Sequence, residues 1–255
     1  MFLLGYGGRR VVADRRALLQ GPTPHGHARN ALTGGLTFLG GEAQQGERVR
    51  LSPDDAHVYV ASGSTTVGVF RMLDVACAPT PLPACKLPTL PRRAAVRWKG
   101  GSPSDRLFDW KWKVGEQTDL AEFGDPINAL DDFIICAYDA SGSSQPIFRT
   151  NAPAGGICDE RPCWKTSGST VGRRKLKYKD RSRRPDGLDK LDLKEGVAGA
   201  ASVKAKGKDS FLGVPALPLT PPVRVQLQAA TGSCWEAVFS TPTANDVLQF
   251  KAKAD

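Results

Sequence analysis

Alternation of apolar and polar residues with a period of two dominates the C-terminal part of the chain and predicts β-strands rather than helices. Residues 106–114 show it most clearly, because large apolar side chains and charged side chains alternate there. The apolar face comprises Phe108, Trp110, Trp112 and Val114, and the polar face Asp109, Lys111 and Lys113. Such a strand is half buried, with its aromatic face against a core.

Further runs of this kind follow, and turn-forming residues separate most of them. The candidate strands are 106–114, 132–139, 174–179, 188–193, 200–206, 223–229, 234–240 and 247–251. The 27 glycines and 19 prolines among 255 residues also favour many turns over long helices. We therefore predict an all-β fold, an antiparallel β-sandwich of about eight strands, over residues 98–255.

The rest of the chain divides into three shorter segments. Residues 1–30 are predicted to be irregular, and residues 31–75 to form a short β-meander of three or four strands. Residues 76–97 are rich in proline and carry Cys77 and Cys85. Because proline removes backbone donors and blocks helix, this segment is predicted to be a linker or a hairpin-like lead-in.

Two parts of the chain resemble known families. The run from Leu51 to Ser62 (LSPDDAHVYVAS), followed by TVGVF at 66–70, resembles one blade of the YVTN or lactonase-like seven-bladed β-propellers. This resemblance implies a β-meander and a propeller upstream, but no lactonase site residue has a counterpart here, and no second copy of the blade is found.

Residues 98–255 resemble a C-terminal module of uncharacterised secreted bacterial proteins. The motifs that carry this resemblance include FDWKWK at 108–113, CAYD at 136–139, PCWK at 162–165 and CWEA at 234–237. The resemblance implies export and a β-rich fold, and it implies no activity.

The six cysteines, Cys77, Cys85, Cys136, Cys158, Cys163 and Cys234, predict disulfides and an oxidising compartment. Zinc ligation and buried free thiols are the alternatives, and the spacing does not favour zinc, since no second pair matches Cys158 and Cys163. Pairing sequence neighbours first predicts Cys77–Cys85 and Cys158–Cys163, which leaves Cys136–Cys234.

Export is predicted although the first residues do not fit a secretory signal. Residues 1–6 form a short apolar stretch, and the first charges, Arg9 and Arg10, follow it. We therefore expect the chain to be the tail of a longer protein that is secreted or held in the cell envelope. No apolar run is long enough for a membrane span.

The formal net charge of +9 is concentrated in one stretch. Residues 165–208 hold 14 basic and 5 acidic residues, which accounts for the whole excess. The candidate binding residues are Arg173, Arg174, Lys175, Lys177, Lys179, Arg181, Arg183 and Arg184. A solvated edge strand followed by a charged turn is one interpretation. Binding of an anionic polymer or cell-surface polysaccharide is the other, and nucleic acid is disfavoured because no recognition module accompanies the run.

Aromatic and acidic residues provide two further candidate sites. Trp110 and Trp112 are predicted to lie in the core, but on an exposed face they would form a platform for sugar rings. The acidic candidates are Asp125, Asp131, Asp132 and Asp139. They are interpreted as turn formers, as a calcium site, or as the carboxylates of a hydrolase.

No nucleophilic triad is predicted, because the three histidines precede residue 58 and no elbow motif surrounds the serines. We therefore expect no catalytic residues, no metal site other than a calcium site, and no other cofactor. The function that the sequence favours is that of a non-enzymatic, exported or cell-surface module with a structural, adhesion or interaction role. A carbohydrate-binding module and a hydrolase that uses the aspartates are the alternatives.

Overall fold

The computed structural model describes residues 76–255 except 129, 130, 144 and 185, together with the backbone of seven strands before residue 76. The chain forms two compact units, Met1–Ala76 and Cys77–Asp255. The strands of the first unit are β1 Gly5–Tyr6, β2 Arg9–Ala13, β3 His27–Arg29, β4 Leu36–Phe38, β5 Arg48–Leu51, β6 His57–Ala61 and β7 Val67–Met72.

In the first unit, β1, β2, β7, β6 and β5 form an antiparallel sheet in that order, and β3 pairs with β4. The expected meander corresponds to β5, β6 and β7, while its likeness to a propeller blade stays a prediction. Residues 1–30 contain β1, β2 and β3 where an irregular segment was expected, and the remainder of that segment lies outside the described residues.

The second unit contains fourteen strands and two short 3-10 helices, Pro103–Asp105 and Leu120–Phe123. The strands are β8 Ala94–Lys99, β9 Leu107–Gly115, β10 Phe133–Tyr138, β11 Phe148–Ala152, β12 Ile157–Cys158, β13 Arg161–Pro162, β14 Trp164–Ser167, β15 Lys175–Lys179, β16 Leu188–Lys194, β17 Ala201–Lys208, β18 Val223–Ala229, β19 Cys234–Phe239, β20 Pro242–Asn245 and β21 Gln249–Lys253.

Two large antiparallel sheets of this unit pack face to face as a β-sandwich, and β12 and β13 form a separate two-stranded sheet. The larger has eight strands in the order β14-β15-β16-β17-β9-β8-β21-β20, and the smaller has the order β11-β10-β18-β19. Aromatic contacts join the layers: Phe148 of the smaller sheet lies 5.6 Å from Trp98 and 4.7 Å from Phe108, measured between ring centroids. The predicted fold class is confirmed.

Tryptophan fills much of the core between the sheets. Trp98, Trp110, Trp112 and Trp235 have no exposed surface. The indole nitrogen of Trp112 donates a hydrogen bond to the backbone oxygen of Glu236 at 2.9 Å, which links β9 to β19. A Cβ on Gly115 would lie 1.8 Å from the Trp112 ring, so only glycine fits beside this indole.

The unit begins earlier than the sequence predicts. Residues 77–93, which we call the strap, belong to it, and β8 follows directly as an interior strand of the larger sheet. The predicted linker is therefore part of the folded unit. Strand prediction also passed over β11, β14 and β20, which are short and lack a sustained alternation of large apolar residues.

The strap lies on the outer face of the smaller sheet and is fixed there by two disulfides. Cys77 bonds to Cys136 of β10, and Cys85 bonds to Cys234 of β19. Lys86 continues the attachment, since it pairs with Trp235 and exchanges backbone hydrogen bonds with Cys234 and Glu236.

Two of the three predicted disulfide pairs are wrong, and only Cys158–Cys163 is confirmed. The predicted Cys136–Cys234 pair fails because β18 lies between β10 and β19, which separates these strands by roughly 10 Å, and a disulfide spans less than about 7 Å between Cα atoms. Each of these cysteines instead meets the strap, which crosses above both strands. The zinc and free-thiol alternatives are excluded for all six cysteines, because every one is disulfide-bonded.

Candidate functional site

The outer face of the eight-stranded sheet carries a dense array of lysines, which we call the lysine face. Its members are Lys99, Lys111, Lys113, Lys165, Lys175, Lys177, Lys179, Lys190, Lys194, Lys204, Lys206, Lys208, Lys251 and Lys253, placed there by strand register. The alternation of buried and open positions along β15 and β17 shows the same division between core and solvent. The eight-stranded sheet therefore has its aromatic side chains on the core face and an almost uniformly basic surface on the opposite face.

Register aligns these lysines into rows that cross the strands. In one row Lys165, Lys177, Asp192, Lys204 and Lys111 occupy directly paired positions on five neighbouring strands. Paired positions in an antiparallel sheet lie about 5 Å apart, and successive outward residues of one strand lie about 7 Å apart. Like charges at such distances repel one another. An anion that neutralises them therefore lowers the electrostatic free energy of this surface.

Acidic side chains on the lysine face are few. Asp109 pairs with Lys111 at 3.3 Å, and Asp189 forms an ion pair with Lys179. The carboxylate of Asp192, between Lys177 and Lys204, forms neither a hydrogen bond nor an ion pair with another residue in the described part of the chain. Most lysines of the face thus have no acidic partner among the described residues, and the face keeps a large positive excess.

A groove of about 400 Å³ lies at one end of this surface. Its charged lining consists of Lys113, Lys175, Lys177, Lys194, Lys204 and Asp192. Val114, Ala200, Ala201 and the hydroxyl-bearing Ser202 complete it. The groove is polar and open, which suits a charged, hydrated ligand better than an apolar one.

A β-bulge at Val114 shapes this end of the sheet. Ala201 pairs with Gly115 while Ser202 pairs with Lys113, so Val114 is the extra residue of β9. Its φ of +53° is in the left-handed region, which a β-branched residue adopts only at a cost of about 1–2 kcal/mol. The strap holds this geometry, because the backbone N–H and the hydroxyl of Thr89 both donate to the Val114 carbonyl at 2.7 Å. Strained residues of this kind concentrate at functional sites.

An ion pair between Glu195 and Arg174 joins the start of β15 to the end of β16 near the groove. The Glu195 carboxylate is nearly buried and accepts from Arg174 Nε at 2.6 Å, and also from the backbone N–H groups of Arg174 and Gly172. The hydrogen bond from the Arg174 guanidinium, helped by these backbone donors, lowers the pKa of Glu195 to about 2. The same contact raises the pKa of Arg174. Arg174 therefore has a structural role.

The structure divides the predicted basic run 173–184 into different roles. Lys175, Lys177 and Lys179 lie on the lysine face. The arginines do not: Arg181 pairs with Asp159, Arg183 with Asp209, and Arg184 stacks on Phe211. Arg173 is exposed in the turn before β15. The edge-strand interpretation is also wrong, because β14 covers β15 and is itself the edge.

The lysines of this face outside residues 173–184 are not found by searching for consecutive basic residues, because they are dispersed over several strands. The signal that locates them is the alternation itself, as in KAKGK at 204–208. Each outward lysine on one strand predicts outward neighbours on the next, once the order of strands is known. The alternation predicts that Lys111 and Lys113 lie on the polar face of their strand, and the structure puts them beside β17.

Trp110 and Trp112 do not form a binding platform. Both indoles are fully buried between the sheets, so no sugar ring can stack on them. The core interpretation of these two residues is confirmed. Trp164 and Trp235 are also buried, where Trp164 packs against Phe133 and Tyr178 and Trp235 stacks on Phe123.

The four aspartates act as separate supports for loops. Asp131 accepts from the backbone N–H of Asp125, and the buried Asp132 accepts from that of Ala154, both at 2.7 Å. Asp139 accepts from Ser141 and Thr220.

The remaining member, Asp125, accepts from Asn128, which lowers the pKa of its carboxyl. A hydrolytic pair would instead include a carboxyl whose pKa is raised. Within residues 76–255 as described, no three histidine, cysteine or acidic side chains come together as metal ligands.

Comparison with known proteins gave no match among family models, curated proteins or solved structures. In the described part of the chain, no helix is both long and apolar enough to cross a membrane. The three disulfides indicate an oxidising, extracellular environment.

Proposed function

We propose that this protein is a non-enzymatic extracellular binding module that adheres to anionic polymers through the lysine face. The observation that carries the proposal is the alignment of lysines in rows across neighbouring strands of the eight-stranded sheet, most of them without an acidic partner among the described residues. A loop presents such charges singly, whereas a sheet holds them at fixed spacing with the aromatic core behind them.

Electrostatics makes this surface suited to a polymer rather than to a single small anion. A polymer that contacts several lysines releases several condensed counterions at once, and this release is the main source of affinity for polyanions. The lysine ammonium groups are point charges on flexible stems, so they accommodate carboxylate, sulfate or phosphate groups without fixed geometry. The disulfides and the strap keep the scaffold rigid in the extracellular setting that they indicate.

The test compares two double variants that remove equal charge. Lys177→Gln with Lys204→Gln removes two charges from the lysine face, and Arg161→Gln with Arg181→Gln removes two exposed charges outside it. Binding of heparin and of linear polyphosphate is measured by titration calorimetry from low to physiological salt.

We expect the wild type and the Arg161/Arg181 control to bind at low salt with affinity that falls steeply as salt rises. The Lys177/Lys204 variant should bind more weakly, and its slope against salt should fall by about one for each lysine removed. Equal weakening by both double variants, or no binding of either polymer by the wild type at low salt, would refute the proposal.

A further inference from the structure

We propose that the groove beside Val114 selects an acidic polysaccharide, a polymer in which hydroxyls and anionic groups occur along one chain, over a polyphosphate. This inference rests on the proposed function, since it concerns the ligand of the same lysine face. It comes from the one acidic group in the lining of the groove, the carboxylate of Asp192, which an anionic group cannot bind.

Asp192 lies in the middle of the basic groove. It faces Lys177 on β15 and Lys204 on β17 through direct register pairs. Asp192 is half-buried, and its carboxylate has no hydrogen bond or ion pair to the other residues that the structure describes. The second acid that aligns with these rows, Asp109, is instead paired with its neighbour Lys111. Asp192 is therefore the acid of this face that remains available to a ligand.

A carboxylate is only an acceptor, so the ligand group that it binds must be a donor. The internal phosphates of a polyphosphate have no donor at neutral pH, and Asp192 would repel them. A sugar hydroxyl is a donor, and a hydrogen bond from a hydroxyl to a carboxylate is among the stronger ones in proteins. Ser202, whose hydroxyl lines the same groove, adds a second group of the kind that contacts sugar hydroxyls.

The spacing of the groove residues fits the same ligand. Lys177, Asp192 and Lys204 follow one another across three strands at intervals of about 5 Å. This interval is close to the length of one sugar unit in a linear polysaccharide. A chain that crosses the strands would therefore place its anionic groups near the two lysines and a sugar hydroxyl near Asp192.

The bulge at Val114 forms part of the lining of the groove. Val114 is the extra residue where β9 leaves regular pairing with β17, and it lines the groove together with Ala200 and Ala201. Thr89 of the strap holds the Val114 carbonyl in place. This part of the groove lining is thus held by a residue outside the sheet, as expected of a preformed binding site.

The experiment exchanges Asp192 for alanine and uses Asp109→Ala as the matched control. Each variant removes one negative charge from the lysine face, but only Asp192 is available to a sugar hydroxyl. Binding of chondroitin sulfate oligosaccharides and of linear polyphosphate with the same number of charges is measured at fixed salt. Circular dichroism confirms that both variants fold.

For Asp109→Ala we expect both polymers to bind equally well or a few-fold more tightly, because a repulsive charge is lost. For Asp192→Ala we expect opposite responses: polyphosphate binds a few-fold more tightly, and chondroitin sulfate binds roughly three- to tenfold more weakly because a charge-assisted hydrogen bond is lost.

Tighter binding of both polymers to Asp192→Ala would overturn the selectivity while leaving the lysine face as a general polyanion site. Binding of neither polymer by the wild type would overturn the proposed function itself, so the two failures are distinguishable.

Discussion

The side-chain amide of Gln226 forms two hydrogen bonds with the backbone of Leu82, 144 residues away. The Leu82 N–H donates to Oε1 at 3.0 Å, and Nε2 donates to the Leu82 carbonyl at 2.8 Å. The prolines of the strap prevent a regular ladder with the smaller sheet. A glutamine side chain from β18 supplies the missing backbone pairing instead, so the strap is anchored between its two disulfides.

Replacing Gln226 with alanine should destabilise the protein by about 1–3 kcal/mol, because buried polar groups that it now satisfies lose their partner. Besides Leu82, these include Gln228 and Glu236, which contact the same amide. Urea unfolding measures the change. The exposed Gln145→Ala is the control and should lie within about 0.5 kcal/mol of the wild type. Equal stability of the two variants would show that the amide does not anchor the strap.

A disulfide that closes a long loop and one that closes a short loop should contribute differently to the free energy of unfolding. Cys85–Cys234 joins residues 149 apart, while Cys158–Cys163 joins residues 5 apart. Loop-closure entropy predicts a cost of about 4–5 kcal/mol for removing the first pair and about 2 kcal/mol for the second. Paired Cys→Ala variants, compared by urea unfolding, test this. A larger loss from the Cys158/Cys163 pair would contradict the entropic account.

Val114 provides a test of stored backbone strain. Val114→Ala keeps a Cβ at φ +53°, whereas Val114→Gly removes it. We expect the glycine variant to be more stable than the alanine variant by about 1 kcal/mol, as thermal or urea unfolding would show. Val225 on β18 is the control site, since it is not among the residues with positive φ, and there alanine should be the more stable. If the alanine variant were more stable than the glycine variant at both sites, the result would count against backbone strain at the bulge.

Acid should weaken the junction between β15 and β16. The pKa of Glu195 is about 2 in the folded protein against an ordinary value of 4.5, so its ion pair stabilises fully above pH 4.5. That contribution is lost as the pH falls from 4.5 towards 2. The stability difference between wild type and Glu195→Gln, measured by urea unfolding, should shrink over this range. A difference that does not change with pH would mean that Glu195 titrates normally.

Much of the second unit follows from local pattern. The alternation in residues 106–114 determines that Trp110 and Trp112 face inward and Lys111 and Lys113 outward, because successive side chains of a strand point to opposite faces. The same rule puts Lys175, Lys177 and Lys179 on one side. Predictions that paired residues close in the sequence were less accurate. Of the three predicted cysteine pairs, only Cys158–Cys163 is present.

The sequence by itself therefore determined the fold class, the inward and outward faces of the strands, and the oxidising setting that the cysteines indicate. Only the tertiary structure decided which strands are neighbours, and with them the rows that bring Lys177, Asp192 and Lys204 together. It also decided that β14 rather than β15 is the edge and that the strap pairs Cys85 with Cys234. The reason is physical: side-chain direction along a strand is a local property of the backbone, whereas strand order is set by how the whole chain buries its apolar faces.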